Sequence, residues 1–164
     1  KAAKKQLTMK LKLLAVGTRM PSWVEAGCNE YGKRMPPELR IETIEIALGA
    51  RGKNQPASKA IEKESQALLK AIGAQDFVVA LDVIGRSLST EQLAGKLADW
   101  QMNGRDVCLI IGGPDGLSDE CLARADMRWS LSDLTLPHPL VRIVLMEQMY
   151  RAWTINANHP YHRS

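Results

Sequence analysis

Apolar residues follow two rhythms along this chain. Lys10–Val16 alternates and is rich in aliphatic residues, which is the period of a strand. Gly17-Thr18-Arg19-Met20-Pro21 ends it. Ser22, with Glu25 three residues on, reads as a capping box; the helix it opens runs toward Met35 and stops at Pro36-Pro37. Arg40–Ile46 alternates again, a second strand, and empties into the basic stretch 47–56. Ser58–Ile72 places Ile61, Leu68, Leu69 and Ile72 at helical spacing among charges, closed by Gly73. Asp76–Leu81 is a continuous apolar run, as expected of a strand buried on both faces, and it ends at Asp82 with Gly85 soon after. Ser89-Thr90-Glu91-Gln92 starts a third helix toward Trp100, ended by Asn103-Gly104. Val107–Ile111 is another buried strand; Ser118 or Asp119 caps a short helix through Ala125; Arg128–Leu131 is a last short strand; Pro139–Asn156 is the longest helix.

Strands alternate with helices throughout, which predicts an α/β fold: a parallel sheet with helices on both faces. Ligands of such sheets sit beyond the carboxyl ends of the strands. Three strand ends therefore matter: Leu81-Asp82, Gly112-Gly113-Pro114 and Leu131–Leu136. The last runs into Pro137-His138-Pro139, where a proline suits a first helical turn because its missing N–H costs nothing there. A loop held between a strand end and a helix start presents backbone groups with little side-chain bulk, suited to gripping a flat or polar ligand.

Composition changes this picture little. The 164 residues suffice for one domain with a core, and no apolar run approaches the length of a membrane span. Lys1–Thr8 is polar and lysine-rich, lacks a signal peptide's apolar centre, and reads as a disordered extension or cloning remnant, with Met9 the natural start and residues 9–164 a single domain. Without Lys1, Lys4 and Lys5 the 22 basic residues become 19 against 18 acidic ones, so the net charge falls from +4 to +1. Any nucleic-acid contact must then come from local patches. In stretch 47–56, Arg51 and Lys53 read either as a solvated connection or as a phosphate contact. Cys28, Cys108 and Cys121 are odd in number and widely spaced, as in a reduced cytoplasmic chain. His159 and His162 lie three apart with no cysteine pair beside them, so no metal site is expected.

Gly112-Gly113-Pro114-Asp115-Gly116 is neither a P-loop nor Gly-x-Gly-x-x-Gly. Asp133 lies at the offset of a Rossmann ribose carboxylate, but too little chain follows for the second half of that fold. A ligand-binding turn and a simple turn both remain open on spacing alone. The set Leu81-Asp82, Ile110–Gly116, Ser130–Leu136, His138–Arg142 and Asn158–Arg163, however, resembles the SPOUT class of methyltransferases, most closely the RlmH type, from Met9 onward. The Gly-Gly-Pro element is shared across that class; Leu-Pro-His-Pro-Leu-Val-Arg and His-Pro-Tyr-His-Arg are particular to the type.

The resemblance implies a C-terminal trefoil knot, which breaks the usual rule against threaded chains. It implies S-adenosyl-L-methionine as methyl donor, bound by Leu81, Gly112 and the segment Leu131, Ser132, Asp133, Leu134, Thr135 and Leu136. It implies methylation of nitrogen-3 of a pseudouridine in 23S ribosomal RNA, with the large subunit or whole ribosome as partner, and a homodimer. A sulfonium methyl is already activated, so the chain must align the reactants and exclude water, with no metal required. The nucleophilic nitrogen carries a proton, and a histidine has the right ordinary pKa to take it near neutrality. His162 is the candidate, flanked by Tyr161 and Arg163, with a frayed polar terminus as the competing reading. Arg142 is a candidate for holding a phosphate or neutralising a developing uracil anion. Glu147 and Arg151 are spaced to pair on their helix, and Met149 and Trp153 read as packing. His138 receives no role. The rivals are a ribosome-binding protein without catalysis and a nucleotide binder with a Rossmann-like turn.

Overall fold

The computed structural model describes residues 9–163; the Lys1–Thr8 stretch and Ser164 lie outside the described residues. Five strands, β1 (Leu11–Val16), β2 (Ile41–Ile46), β3 (Phe77–Ser87), β4 (Val107–Ile111) and β5 (Met127–Ser130), form one sheet in the order β2-β1-β4-β3-β5. Every pairing is parallel. The helices are α1 (Ser22–Gly32), α2 (Ala57–Ala71), α3 (Thr90–Asn103), α4 (Asp119–Arg124) and α5 (His138–Asn156), with single 3-10 turns at Pro37–Leu39 and Pro160–Arg163.

β1 and β4 lie inside the sheet, which is why their apolar runs are unbroken. Successive residues of a strand point to opposite faces. Leu11, Leu13, Leu109 and Ile111 accordingly join one core with Leu97, Leu145 and Met149, on the face covered by α1, α3 and α5. Leu14, Val16, Cys108 and Ile110 join a second core with Leu68 and Cys121, under α2 and α4. β2 is an edge strand, and only Ile46 of it is buried. Helices on both faces of a parallel sheet are what the alternating pattern predicts. α5 packs between α1 and α3, and Leu145, Met149 and Ala152 on it are wholly buried.

Two local readings are corrected. Ser22 is not a cap: Pro21 occupies the N-cap position of α1, and no side chain caps that end. The predicted pattern is met instead at α3, where Ser89 and Gln92 exchange both bonds of a capping box. The third strand also does not end at Asp82. It continues to Ser87 because Arg86 and Ser87 pair with Trp129 and Ser130 after an irregularity that starts at Leu81. Val83 and Ile84 within that irregularity are exposed, so the stretch lacks the two-sided apolar pattern of a buried strand. Gly85 lets the strand pass, since a Cβ there would lie 2.7 Å from the Trp129 amide nitrogen.

Candidate active site

The irregularity of β3 at Leu81–Val83 and the carboxyl ends of β4 and β5 open onto a cavity of about 430 Å³. One wall is the turn after β4. Gly112 is closed in by backbone: a Cβ on it would lie 2.5 Å from the carbonyl carbon of Gly116 and 2.8 Å from the Leu117 nitrogen. The Gly116 amide donates to the Gly113 carbonyl at 3.0 Å, and Gly116 takes φ +80°, a conformation glycine adopts at no steric cost. The glycines therefore bring bare backbone to the cavity.

The opposite wall is the loop after β5. Ser130 Oγ donates to the Ser132 carbonyl at 3.1 Å, and the Leu134 amide donates to Ser132 Oγ at 2.9 Å. These short bonds shape the loop before α5 begins. Of the sequence candidates, Leu81, Gly112, Leu131, Ser132, Leu134 and Leu136 all line the cavity, although they come from three separate stretches of the chain. Asp133 and Thr135 are exposed and outside the lining. A loop that zigzags turns alternate residues outward, and the sequence does not say which.

Gly113 and Pro114 of the glycine turn face the cavity too, as do three residues given no cofactor role in the sequence, Trp129, His138 and Val141. The signal was present for two of these three. His138 sits at the helix start, and Val141 follows it by one helical turn. Burial first, and then the Arg142 charge, push the His138 imidazole below its ordinary value. Asp82 Oδ2, Trp129 Nε1 and His138 Nδ1 are buried without hydrogen-bond partners, and all three belong to cavity-lining residues. Buried polar atoms are normally paired, so their clustering here marks a place built for something else.

Arg142 does not reach the cavity or the surface. Its guanidinium turns inward from α5 and donates to Glu45 Oε2 at 2.6 Å and to the carbonyl of Gly17 at 2.7 Å. It ties α5 to the ends of β1 and β2 at 3% exposure. The terminal residues fold back on α5. The Tyr161 ring meets Tyr150 edge-on at 4.6 Å, and its hydroxyl donates to Glu147 Oε1 at 3.1 Å. Burial and that carboxylate push the Tyr161 phenol up to about 12. Glu147 also pairs with Arg151, and Met149 and Trp153 pack against the core, as the sequence predicts. His162 is half-buried and Arg163 exposed. Tyr161 contacts Glu147 and Tyr150, six and nine residues beyond Val141 on α5, and none of Tyr161, His162 and Arg163 lines the cavity. One chain by itself does not bring the two candidate halves together. Among the described residues, no cluster of three or more His, Cys, Asp or Glu could hold a metal ion, and no helix is long and apolar enough to cross a membrane.

Comparison with known proteins bears on this site. The family model described as "Predicted SPOUT methyltransferase" matches residues 9–162. The chain is 59% identical over 155 residues to a protein of Saccharophagus degradans named ribosomal RNA large subunit methyltransferase H, covering 94% of this chain and all of that one. Proteins of the same name from Marinomonas sp. and Hahella chejuensis are 53% and 56% identical over 155 residues, covering 94% of this chain and 100% and 99% of theirs. In three dimensions the chain resembles a probable methyltransferase from Bordetella pertussis, with TM-score 0.57 and 14% identity over 90% of this chain and 98% of that one. A putative methylase family protein from Neisseria gonorrhoeae gives TM-score 0.52, also at 14% identity, over 92% and 85%.

Proposed function

The chain belongs to the SPOUT methyltransferase family, and from that premise we propose that it transfers a methyl group from S-adenosyl-L-methionine to nitrogen-3 of a pseudouridine in 23S ribosomal RNA. The observation that carries the donor is the cavity between the Gly112–Gly116 turn and the Ser130–Leu136 loop. Its volume lies in the range of small-ligand sites, and its walls combine apolar faces with bare backbone. Leu81, Leu131 and Leu136 offer surfaces for a flat purine, and the backbone of Gly112 and of 131–136 offers bonds to its edge and to ribose. The donor supplies an activated sulfonium methyl. The relatives at 53–59% identity support large-subunit ribosomal RNA as the class of acceptor.

The chain's own residues have two tasks. The cavity walls orient the donor and exclude water, which lowers the entropic part of the barrier. The tail handles the acceptor: His162 takes the nitrogen-3 proton, Tyr161 holds the tail against Glu147, and the exposed Arg163 meets the RNA. Arg142 acts from within, fixing the start of α5 and with it the Ser-Leu loop. Because Tyr161, His162 and Arg163 do not line the cavity of their own chain, the reading includes a homodimer in which one protomer's tail serves its partner's cavity. The trefoil threading of the loops and a cytoplasmic location belong to the same reading.

Unmodified 23S RNA, large subunits and whole ribosomes are incubated in parallel with methyl-labelled donor. Label enters RNA with the full-length chain. With a chain truncated after Pro160 it falls sharply, while affinity for S-adenosylhomocysteine and the sedimentation coefficient are unchanged. Equal single-turnover rates for the two chains would return the tail to a frayed terminus, and donor binding without label transfer to any of the three acceptors would leave a binding protein.

A further inference from the structure

The connection between β2 and α2, residues 47–56, reads in the sequence as basic and solvated. Its arginine is fixed at one end and leads somewhere at the other. Arg51 Nη1 and Nη2 donate to the two carboxylate oxygens of Glu64 at 2.7 and 3.2 Å, and Nη1 also donates to the Gly49 carbonyl at 3.1 Å. Glu64 lies on α2 at 2% exposure, and its Oε2 accepts from the Gly49 amide at 2.8 Å. A carboxylate so buried requires a paired cation, and the guanidinium fork satisfies both oxygens at once. The fork leaves Nε free. It donates to Asp115 Oδ2 at 2.8 Å, across 64 residues of sequence.

Asp115 is the exposed apex of the Gly113–Gly116 turn, the wall of the cavity. The rear of that turn is filled by the same group: a Cβ on Gly113 would lie 3.1 Å from Glu64 Oε1 and 3.0 Å from Val16 Cγ1. The turn is therefore backed by Glu64 and tethered at its apex through Arg51. A tight turn with two glycines is otherwise free to shift, since glycine loses the most conformational freedom on ordering.

We propose that Arg51 is a positioning residue of the donor cavity: seated on buried Glu64, it holds Asp115 and so keeps the Gly112–Gly116 turn where it forms the cavity wall. The proposal rests on the methyltransferase reading for the identity of the ligand, and on the Glu64–Arg51–Asp115 geometry for the clamp. The loop 47–56 is then part of the binding site without touching the ligand.

Arg51→Lys and Asp115→Ala separate positioning from plain stability. Lysine keeps one cation on Glu64 but cannot reach a second carboxylate with a planar fork. Asp115 is exposed, so its removal leaves no buried charge. Asp115→Ala keeps the parent melting temperature within the few degrees that an exposed pair accounts for, whereas Arg51→Lys lowers it further, because a single ammonium replaces the two-pronged bond to buried Glu64, so its affinity is compared with that of Asp115→Ala. Calorimetry with S-adenosylhomocysteine shows binding weakened about three- to tenfold in each. The double variant is no weaker than the worse single one, because the two residues act as one unit. Hydrogen exchange of the Gly116 amide, bonded to the Gly113 carbonyl, accelerates in both variants without any ligand. Parent-like affinity and parent-like Gly116 exchange would overturn the clamp. If the parent itself fails to bind S-adenosylhomocysteine, the function reading falls, and the Gly116 exchange still decides the clamp: faster exchange upholds it and unchanged exchange overturns it.

Discussion

Adding one methyl group at Gly112 tests the cavity where it is most tightly built. The Cβ of Gly112→Ala would lie 2.5 Å from the Gly116 carbonyl carbon, 2.7 Å from its oxygen and 2.8 Å from the Leu117 nitrogen. Carbon atoms pack comfortably at about 3.5 Å, so residues 116 and 117 must retreat by roughly 1 Å. All three neighbours are backbone atoms, and no rotamer change relieves the contact. Overpacking of this kind costs about 1–3 kcal/mol. At about 2–4 °C per kcal/mol for a domain of this size, the melting temperature falls by roughly 2–12 °C and the chain stays folded. The displaced atoms belong to the cavity wall, so ligand bonds lengthen with them. A loss of about 1.4–2.8 kcal/mol in binding corresponds to a ten- to hundredfold weaker S-adenosylhomocysteine complex. Gly112→Val, with two further carbons, abolishes measurable binding. Gly95→Ala is the control, since a Cβ there meets nothing within 4 Å and it lies on α3; it gains up to about 1 kcal/mol of stability and leaves affinity unchanged. Calorimetric titration of the Gly112→Ala chain with an affinity within twofold of the parent would refute the assignment of this turn to the ligand.

Three further outcomes follow from the geometry. Arg142→Ala breaks a buried ion pair and strands the Gly17 carbonyl, lowering stability by about 3 kcal/mol in urea titrations, and Arg142→Lys recovers only part of it; a loss under about 1 kcal/mol would contradict the buried role. Burial, and then the hydrogen bond to Asp76, push the Cys108 thiol from 9.0 up to about 12, so its contribution is fully present below pH 9 and is lost as pH rises toward 12; Cys108→Ala flattens the alkaline part of the stability profile, and a parallel profile would rule this out. His138 is held low by burial and then by Arg142; its stabilising contribution is present above pH 6.5 and is lost as pH falls through the lowered value, so its ring protons in an NMR titration give a midpoint below 6.5, and a midpoint at or above 6.5 would contradict its burial.

Much of the cavity was legible in the chain because its pieces are short-range structures. The unbroken run Val107–Ile111 announces a strand buried on both faces, and two glycines directly after it mark a turn, which the spacing leaves open between a ligand-binding and a simple one. Pro137-His138-Pro139 announces a helix start, and the small residues before it a narrow loop. The tail residues Tyr161, His162 and Arg163 carry no periodicity, and the resemblance alone raised them above a polar terminus. Arg142 shows the limit: in the sequence it reads as a contact to a phosphate or a uracil anion or as a surface cation on an amphipathic helix, and the fold buries it instead.

What the sequence determined by itself is the order and type of the elements and the three stretches Leu81-Asp82, Gly112–Pro114 and Leu131–Leu136 as the place for a site. Those follow from φ/ψ preferences and from the 2.0 and 3.6 periods, which act over a few residues. What only the tertiary structure decided is which pieces meet. Strand order β2-β1-β4-β3-β5 places the turn after β4 opposite the loop after β5. Pairing with β5 carries β3 past Asp82 to Ser87 against its local pattern. Folding of the Ser-Leu loop turns Leu134 and Leu136 to the cavity and leaves Asp133 and Thr135 outside it. Packing against Glu64 aims Arg51 at Asp115, and packing against β1 and β2 buries Arg142. Each of these joins residues far apart in the chain, where side-chain direction is set by register and by neighbouring elements, which no local window of sequence contains.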